Sequence, residues 1–293
     1  VLRGIIPPLV TPFRADGALD LAAFESNLER YAGFDLGGCL VLGSNGEAAV
    51  LEEAEKLALV RAARAGAGSR LLLVGTGLES TAATIALNHR VADLGADAAL
   101  VLTPHYYKSQ MGPEVLRRHF EAVAEASPIP VLLYSVPQFT GLVFPPALAA
   151  DLAGHPRIAG MKESSGDVAL LLRILRSVPP SFEVACGSAP VIYPALCAGA
   201  RAGILAVACC APGPVTALYR AFAAGDHARA LRLQQAIGPL ATAVTATHGV
   251  PGLKAAMDMA GFAGGAPRAP LPPATAAARA EIEALLLALA EAA

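Results

Sequence analysis

Tryptophan is absent, and aromatic residues of all kinds make up only 5% of this 293-residue chain. Charge is scarce as well. Charged residues are 16% of the total, the net charge is −2, and no run of lysine or arginine occurs. Without a basic stripe the chain lacks the electrostatic footprint of a nucleic-acid or anionic-membrane binder, so neither partner is expected. Uninterrupted apolar stretches of about 18 residues are missing too, so no spanning helix is expected despite a mean hydropathy of +0.52. The cysteines, Cys39, Cys186, Cys197, Cys209 and Cys210, are odd in number and form no CxxC spacing. They read as small buried hydrophobes in a reducing compartment, not as a disulfide or zinc framework. Histidines are scattered with no HExxH, which speaks against a metal site, and no GxSxG marks a serine hydrolase. No signal-peptide pattern opens the chain, and the first residue is Val1, which leaves room for a trimmed leader. A cytoplasmic location is expected, with a mitochondrial one as the alternative if a leader has been removed.

What is abundant is apolar surface. Hydrophobic residues are 55% of the chain, enough for a large core and too many for disorder. Short apolar runs recur at Ile5–Val10, Cys39–Leu42, Leu71–Val74, Ala98–Leu102, Val131–Tyr134, Ile158–Met161, Glu183–Cys186 and Gly203–Val207. Most are apolar along their whole length, as parallel strands buried on both faces require. Helical patterns follow them, for example Leu21–Phe34, Thr81–Leu94 behind the N-cap candidate Ser80, and Pro113–Ala126. Eight strand–helix units predict an α/β fold, a (β/α)8 TIM barrel. The barrel is expected over residues 1–210, with a C-terminal helical extension over 211–293 packed on it. A doubly wound sheet with a dinucleotide site is the alternative. Its nearest phosphate turn, Gly75-Thr76-Gly77-Leu78-Glu79-Ser80, lacks the third glycine.

Barrel enzymes place their chemistry at the C-terminal ends of the strands. Lysine is rare here: Lys56, Lys108, Lys162 and Lys254. Only Lys162 directly ends an apolar strand. At the inner mouth of a barrel a desolvated amine serves as a nucleophile. On position alone, pairing with Glu163 is an equal reading. Tyr134 ends the neighbouring strand, where a phenol could shuttle a proton or simply cap the strand. Ser44 and Asn45 lie on a Gly-flanked turn that could hold a carboxylate or be a plain turn.

Taken in order, Pro8-Leu9-Val10-Thr11-Pro12-Phe13, Gly43-Ser44-Asn45-Gly46-Glu47, Thr103-Pro104-His105-Tyr106-Tyr107, Tyr134-Ser135-Val136-Pro137 with Thr140-Gly141, and Gly160-Met161-Lys162-Glu163-Ser164 resemble the dihydrodipicolinate synthase / N-acetylneuraminate lyase superfamily of pyruvate-dependent aldolases. The resemblance implies that Lys162 forms a Schiff base and that Tyr134 transfers protons. It also implies that Ser44 relays to Tyr134 and that Tyr106 is lent across a subunit interface. Ser44 and Asn45 would hold the pyruvyl carboxylate, with Ser164 and Gly187 as further substrate contacts. It implies a small 2-oxo acid substrate, no cofactor, and a homotetramer built as a dimer of dimers. Within the superfamily, Leu71–Thr84, Gly160–Val168 and Gly249–Asp258 are similar to 4-hydroxy-2-oxoglutarate aldolase, so cleavage of that acid to pyruvate and glyoxylate is expected. The alternatives are a 2-keto-3-deoxy sugar-acid aldolase or dehydratase, and a dihydrodipicolinate synthase-like enzyme. Two departures stand out. Gln138-Phe139 replaces the arginine that the synthases carry between VP and TG, and Cys209-Cys210 replaces the usual Ala-Asn after strand eight.

Overall fold

In the computed structural model, which describes residues 2–292, eight parallel strands circle one axis. They are β1 (Gly4–Ile6), β2 (Gly38–Val41), β3 (Leu71–Gly75), β4 (Ala98–Leu102), β5 (Val131–Ser135), β6 (Ile158–Glu163), β7 (Glu183–Cys186) and β8 (Ala202–Ile204). Hydrogen-bonded neighbours run β1-β8-β7-β6-β5-β4-β3-β2. The circle is completed where Pro8 bridges Leu40, with Leu9 N donating to Leu40 O at 2.8 Å. Helices α1 (Leu21–Tyr31), α2 (Glu53–Ala67), α3 (Thr81–Asp93) and α4 (Pro113–Ala126) alternate with the first strands. The short α5 (Pro137–Thr140), then α6 (Pro146–Leu152), α7 (Val168–Ser177), α8 (Ile192–Ala198) and α9 (Pro212–Ala223) follow. The fold is therefore a (β/α)8 barrel with further C-terminal helices, α10 (His227–Thr242), α11 (Gly249–Met259) and α12 (Ala276–Ala292). The final helix expected from the sequence reaches Ala293, which lies outside the described residues.

Period-2 alternation sorts the strands into two cores. Inward-facing Ile6, Leu40, Leu73, Leu100, Leu132 and Ile204 fill the barrel, while Val41, Val74, Val101, Leu133, Met161 and Val184 pack under the helices. This double burial is why the strands read as continuous apolar runs. Ser80 caps α3 through Ala83 N at 3.3 Å, as its position in the sequence indicates.

Three strands end two or more residues from where they were expected. The first strand stops at Ile6 because Pro7 and Pro8 have no N–H to continue the ladder. The last stops at Ile204, and Ala206–Cys209 turns into a 3₁₀ helix. The sixth continues to Glu163, so Lys162 lies inside the strand and not just beyond it. Cys197 is exposed, unlike the other four cysteines. The tail returns to the barrel: Ala266 bridges Phe13, and the Asn27 amide clasps Ala263 from both sides, at 2.8 and 2.7 Å. No helix among the described residues is long and apolar enough to cross a membrane.

Candidate active site

Strand register puts the candidate groups at one level. Tyr134 on β5 lies opposite Lys162 on β6, which lies opposite Ala185 on β7. Both side chains enter the barrel and are buried. Lys162 Nζ stands 3.4 Å from Tyr134 Oη and 4.4 Å from the centre of its ring. Across the mouth, Ser44 Oγ is 3.4 Å from the same phenolic oxygen. These distances are long for hydrogen bonds, as they often are before substrate draws catalytic groups together.

Glu163, the alternative partner for Lys162, sits one residue on and therefore on the other face of the strand. It accepts Ser165 N at 2.9 Å, and burial raises its carboxyl above the usual range. Among the described residues Lys162 forms no ion pair. A buried amine beside a phenol, with no carboxylate to neutralise it, is disposed to act as a nucleophile.

Ser164 and Gly187 complete the wall. Ser164 is buried and its Oγ has no partner among the described residues, an orphan polar atom that a ligand would satisfy. A Cβ on Gly187 would lie 1.9 Å from that oxygen and 2.9 Å from Lys162 Cε. Only glycine leaves room there. Asn45 is half-buried in the 3₁₀ turn Ser44–Gly46. Tyr106 is not gathered with the others within one chain. It is 76% exposed and packs edge-on against Tyr107, with ring centres 5.0 Å apart. Glu79 fixes this loop by accepting His105 N and Tyr106 N, each at 2.9 Å. Cys209 and Cys210 are buried thiols. Cys209 Sγ donates to Pro8 O at 3.2 Å, and burial pushes Cys210 up to about 12, so neither is a reactive thiolate.

Reading along the chain misses several groups around the site. Thr103 donates from its hydroxyl to Tyr134 O at 3.3 Å. Glu47, Lys254 and Arg268 surround the base of the serine turn, at 2.6 Å between the Glu47 and Lys254 charges. A single lysine in the otherwise apolar stretch Gly252-Leu253-Lys254-Ala255-Ala256-Met257 is the signal that could have found them.

The fold, with a buried amine, a phenol and a hydroxyl gathered at the barrel mouth, suits a barrel enzyme of the lyase class. The dihydrodipicolinate synthetase family matches residues 1–289, and the chain belongs to that family. A 4-hydroxy-tetrahydrodipicolinate synthase from Exiguobacterium sibiricum is 39% identical over 274 residues, covering 92% of each chain. Another from an Exiguobacterium species is 36% identical over 283 residues, covering 96% of each. The solved 4-hydroxy-tetrahydrodipicolinate synthase of Methylacidiphilum fumariolicum superposes with a TM-score of 0.94 at 27% identity, covering 100% of this chain and 97% of that one. These relatives overturn the expectation of a 4-hydroxy-2-oxoglutarate aldolase releasing glyoxylate. The short stretches that suggested it weigh less than synthase relatives spanning nearly the whole length.

Proposed function

We propose that this enzyme captures pyruvate as an imine on Lys162 and joins the derived enamine to an aldehyde, in the manner of the synthases it resembles. The observation that carries the reading is the buried, unpaired Lys162 amine 3.4 Å from a phenol that itself stands 3.4 Å from the Ser44 hydroxyl. Neutral Nζ attacks C2 of pyruvate and water leaves. The iminium then acidifies the methyl group, and its loss of a proton gives the enamine. C3 adds to the aldehyde carbon, and the oxygen of the new alcohol takes a proton delivered through Tyr134 and Ser44. The iminium is the electron sink, so the scheme calls for no cofactor. Ser44, Asn45 and the orphan Ser164 hydroxyl suit the pyruvyl end.

The relatives' product indicates the partner aldehyde. 4-Hydroxy-tetrahydrodipicolinate has seven carbons, two carboxylates and a ring nitrogen. Removing pyruvate's three carbons leaves a four-carbon 2-amino acid ending in an aldehyde. Its amine attacks the imine carbon, closes the ring and releases Lys162. Such a partner brings a carboxylate that needs a cation. Gln138 holds the place of the synthases' arginine, and its amide is engaged with Ser164 O at 2.5 Å. Lys108 lies on the facing loop, where a Cβ on Gly141 would meet its Nζ at 3.0 Å. We assign the aldehyde's carboxylate to Lys108. Tyr106, exposed beside the mouth, would extend the proton relay in a neighbouring copy within a homotetramer.

Borohydride with pyruvate tests the core of this reading. The expected result is irreversible inactivation and added mass on the peptide holding Lys162, lost in Lys162→Met. No adduct, or an adduct on another lysine, refutes it. A screen of aldehydes tests the partner: aspartate semialdehyde left unconsumed while another aldehyde reacts would remove the synthase-type assignment.

A further inference from the structure

The serine turn is held by a charge cluster that the reaction itself does not use. Glu47 follows Ser44-Asn45-Gly46 and has φ 54° and ψ 34°, a left-handed conformation that side-chain-bearing residues rarely adopt. Such a residue is strained and persists only where its surroundings over-determine it. Here they do. The Glu47 and Lys254 side chains are each 1% exposed, and Glu47 Oε1 lies 2.6 Å from Lys254 Nζ. Glu47 Oε2 accepts Arg268 N at 2.8 Å. Lys254 Nζ also donates to Ala266 O at 2.7 Å and stands 4.5 Å over the Phe13 ring. The Arg268 guanidinium lies 4.1 Å from the centre of the same ring and holds both carboxylate oxygens of Glu55 at 2.6 Å. It also reaches Gly17 O and Val50 O. Thr11 Oγ1 ties down Gly46 O at 2.7 Å.

A buried ion pair is a poor device for stability alone. Withdrawing both charges from water costs several kcal/mol, and well-packed apolar replacements are often as stable or more so. Burial indeed pulls the Lys254 amine below its usual range while Glu47 opposes that pull. Unlike an apolar contact, the pair holds the Glu47 carboxylate in one direction, with Oε1 on Lys254 and Oε2 on the Arg268 backbone.

We infer that Glu47 and Lys254, locked by Arg268, are positioning residues that set the Ser44–Asn45 turn against Tyr134 and Lys162, so that the C-terminal helices take part in pyruvate binding. The inference rests on Lys162 capturing pyruvate. If the parent enzyme gives no borohydride adduct, that earlier reading fails. If the parent traps pyruvate and the variants trap it equally well, this one fails.

The test uses the full-length double variant Glu47→Gln/Lys254→Met, which removes both charges and leaves neither unpaired. Its unfolding midpoint in denaturant establishes folding. The expected outcome is a rise of roughly 10–100-fold in the pyruvate KM and in the pyruvate concentration that half-saturates trapping, on the scale of an ångström-sized misplacement. The KM of the aldehyde should stay near the parental value. A folded double variant with parental pyruvate KM would show the cluster to be structural only. Arg268→Gln leaves the buried pair in place and should raise the pyruvate KM by less. If the double variant does not fold, parental pyruvate KM in folded Arg268→Gln overturns the inference, and a raised one supports it.

Discussion

Gly187→Ala is the sharpest perturbation this site offers, because the addition is one methyl group and its collisions are known. The new Cβ would lie 1.9 Å from Ser164 Oγ, 2.9 Å from Ser164 Cβ and 2.9 Å from Lys162 Cε. Ordinary carbon–oxygen contact begins near 3.4 Å, so about 1.5 Å of clearance must be found. The wall does not yield easily. Gly187 N donates to Glu163 O at 2.7 Å and Ser164 N donates to Ser135 O at 3.0 Å, each one residue past a strand of the ring and tied back to its neighbour. Ser164 must rotate away or Lys162 must retreat. Overpacking of this kind costs about 1–3 kcal/mol of stability, which a domain of this size survives. A displacement of about 1 Å at the reacting amine costs roughly 100-fold in rate. Borohydride trapping of pyruvate, followed by intact mass, should therefore slow by about two orders of magnitude in a protein that still unfolds cooperatively. Gly187→Ala/Ser164→Gly removes the two Ser164 contacts and should recover part of the trapping rate. Parental trapping in Gly187→Ala would refute the placement of Lys162 and Ser164 about one pocket.

Tyr134→Phe should leave pyruvate trapping detectable and lower kcat by roughly 10²–10⁴-fold, the usual worth of general acid–base help; a loss under tenfold would exclude the phenol as the proton carrier. Tyr106→Phe should lower kcat only where copies associate, so dilution series followed by sedimentation and activity should move together; activity unaffected by the substitution would remove Tyr106 from the relay. Lys108→Met should raise the KM of the aldehyde while sparing that of pyruvate, and equal effects on both would unseat it as the carboxylate's partner. His119 is buried with Nδ1 2.9 Å from Thr81 Oγ1 and no partner for Nε2, and burial pulls its pKa down from 6.5 to about 4. The unfolded chain thus takes up a proton that the folded one refuses. The contribution is intact above pH 6.5 and is lost as pH falls toward about 4, up to about 3 kcal/mol. Denaturant unfolding at both pH values should show a shallower acid loss in His119→Phe, and an unchanged loss would refute the assignment.

Much of the architecture was legible because burial on both faces writes itself into a parallel strand as an unbroken apolar run. Val131–Tyr134 and Ala98–Leu102 are such runs, and their boundaries were nearly those observed. Lys162 stood out for the same reason, as a charge at the edge of an apolar segment. The choice between aldolase and synthase was not legible, because the short motifs are shared across a superfamily and gather around Lys162, Tyr134 and Ser44. The positions proposed to meet the second substrate, Gln138 and Lys108, lie outside those motifs.

By itself, then, the order of residues determined the barrel, the strand that carries the amine, and the turn and phenol that accompany it. Local periodicity and residue chemistry suffice for those. Only the tertiary structure decided that Lys162 faces Tyr134 and not Glu163, since one step of register reverses the face of every side chain. It alone joined Lys254 and Arg268 to Glu47: a lone lysine in an apolar stretch signals a buried charge, but the partner it finds is set through space.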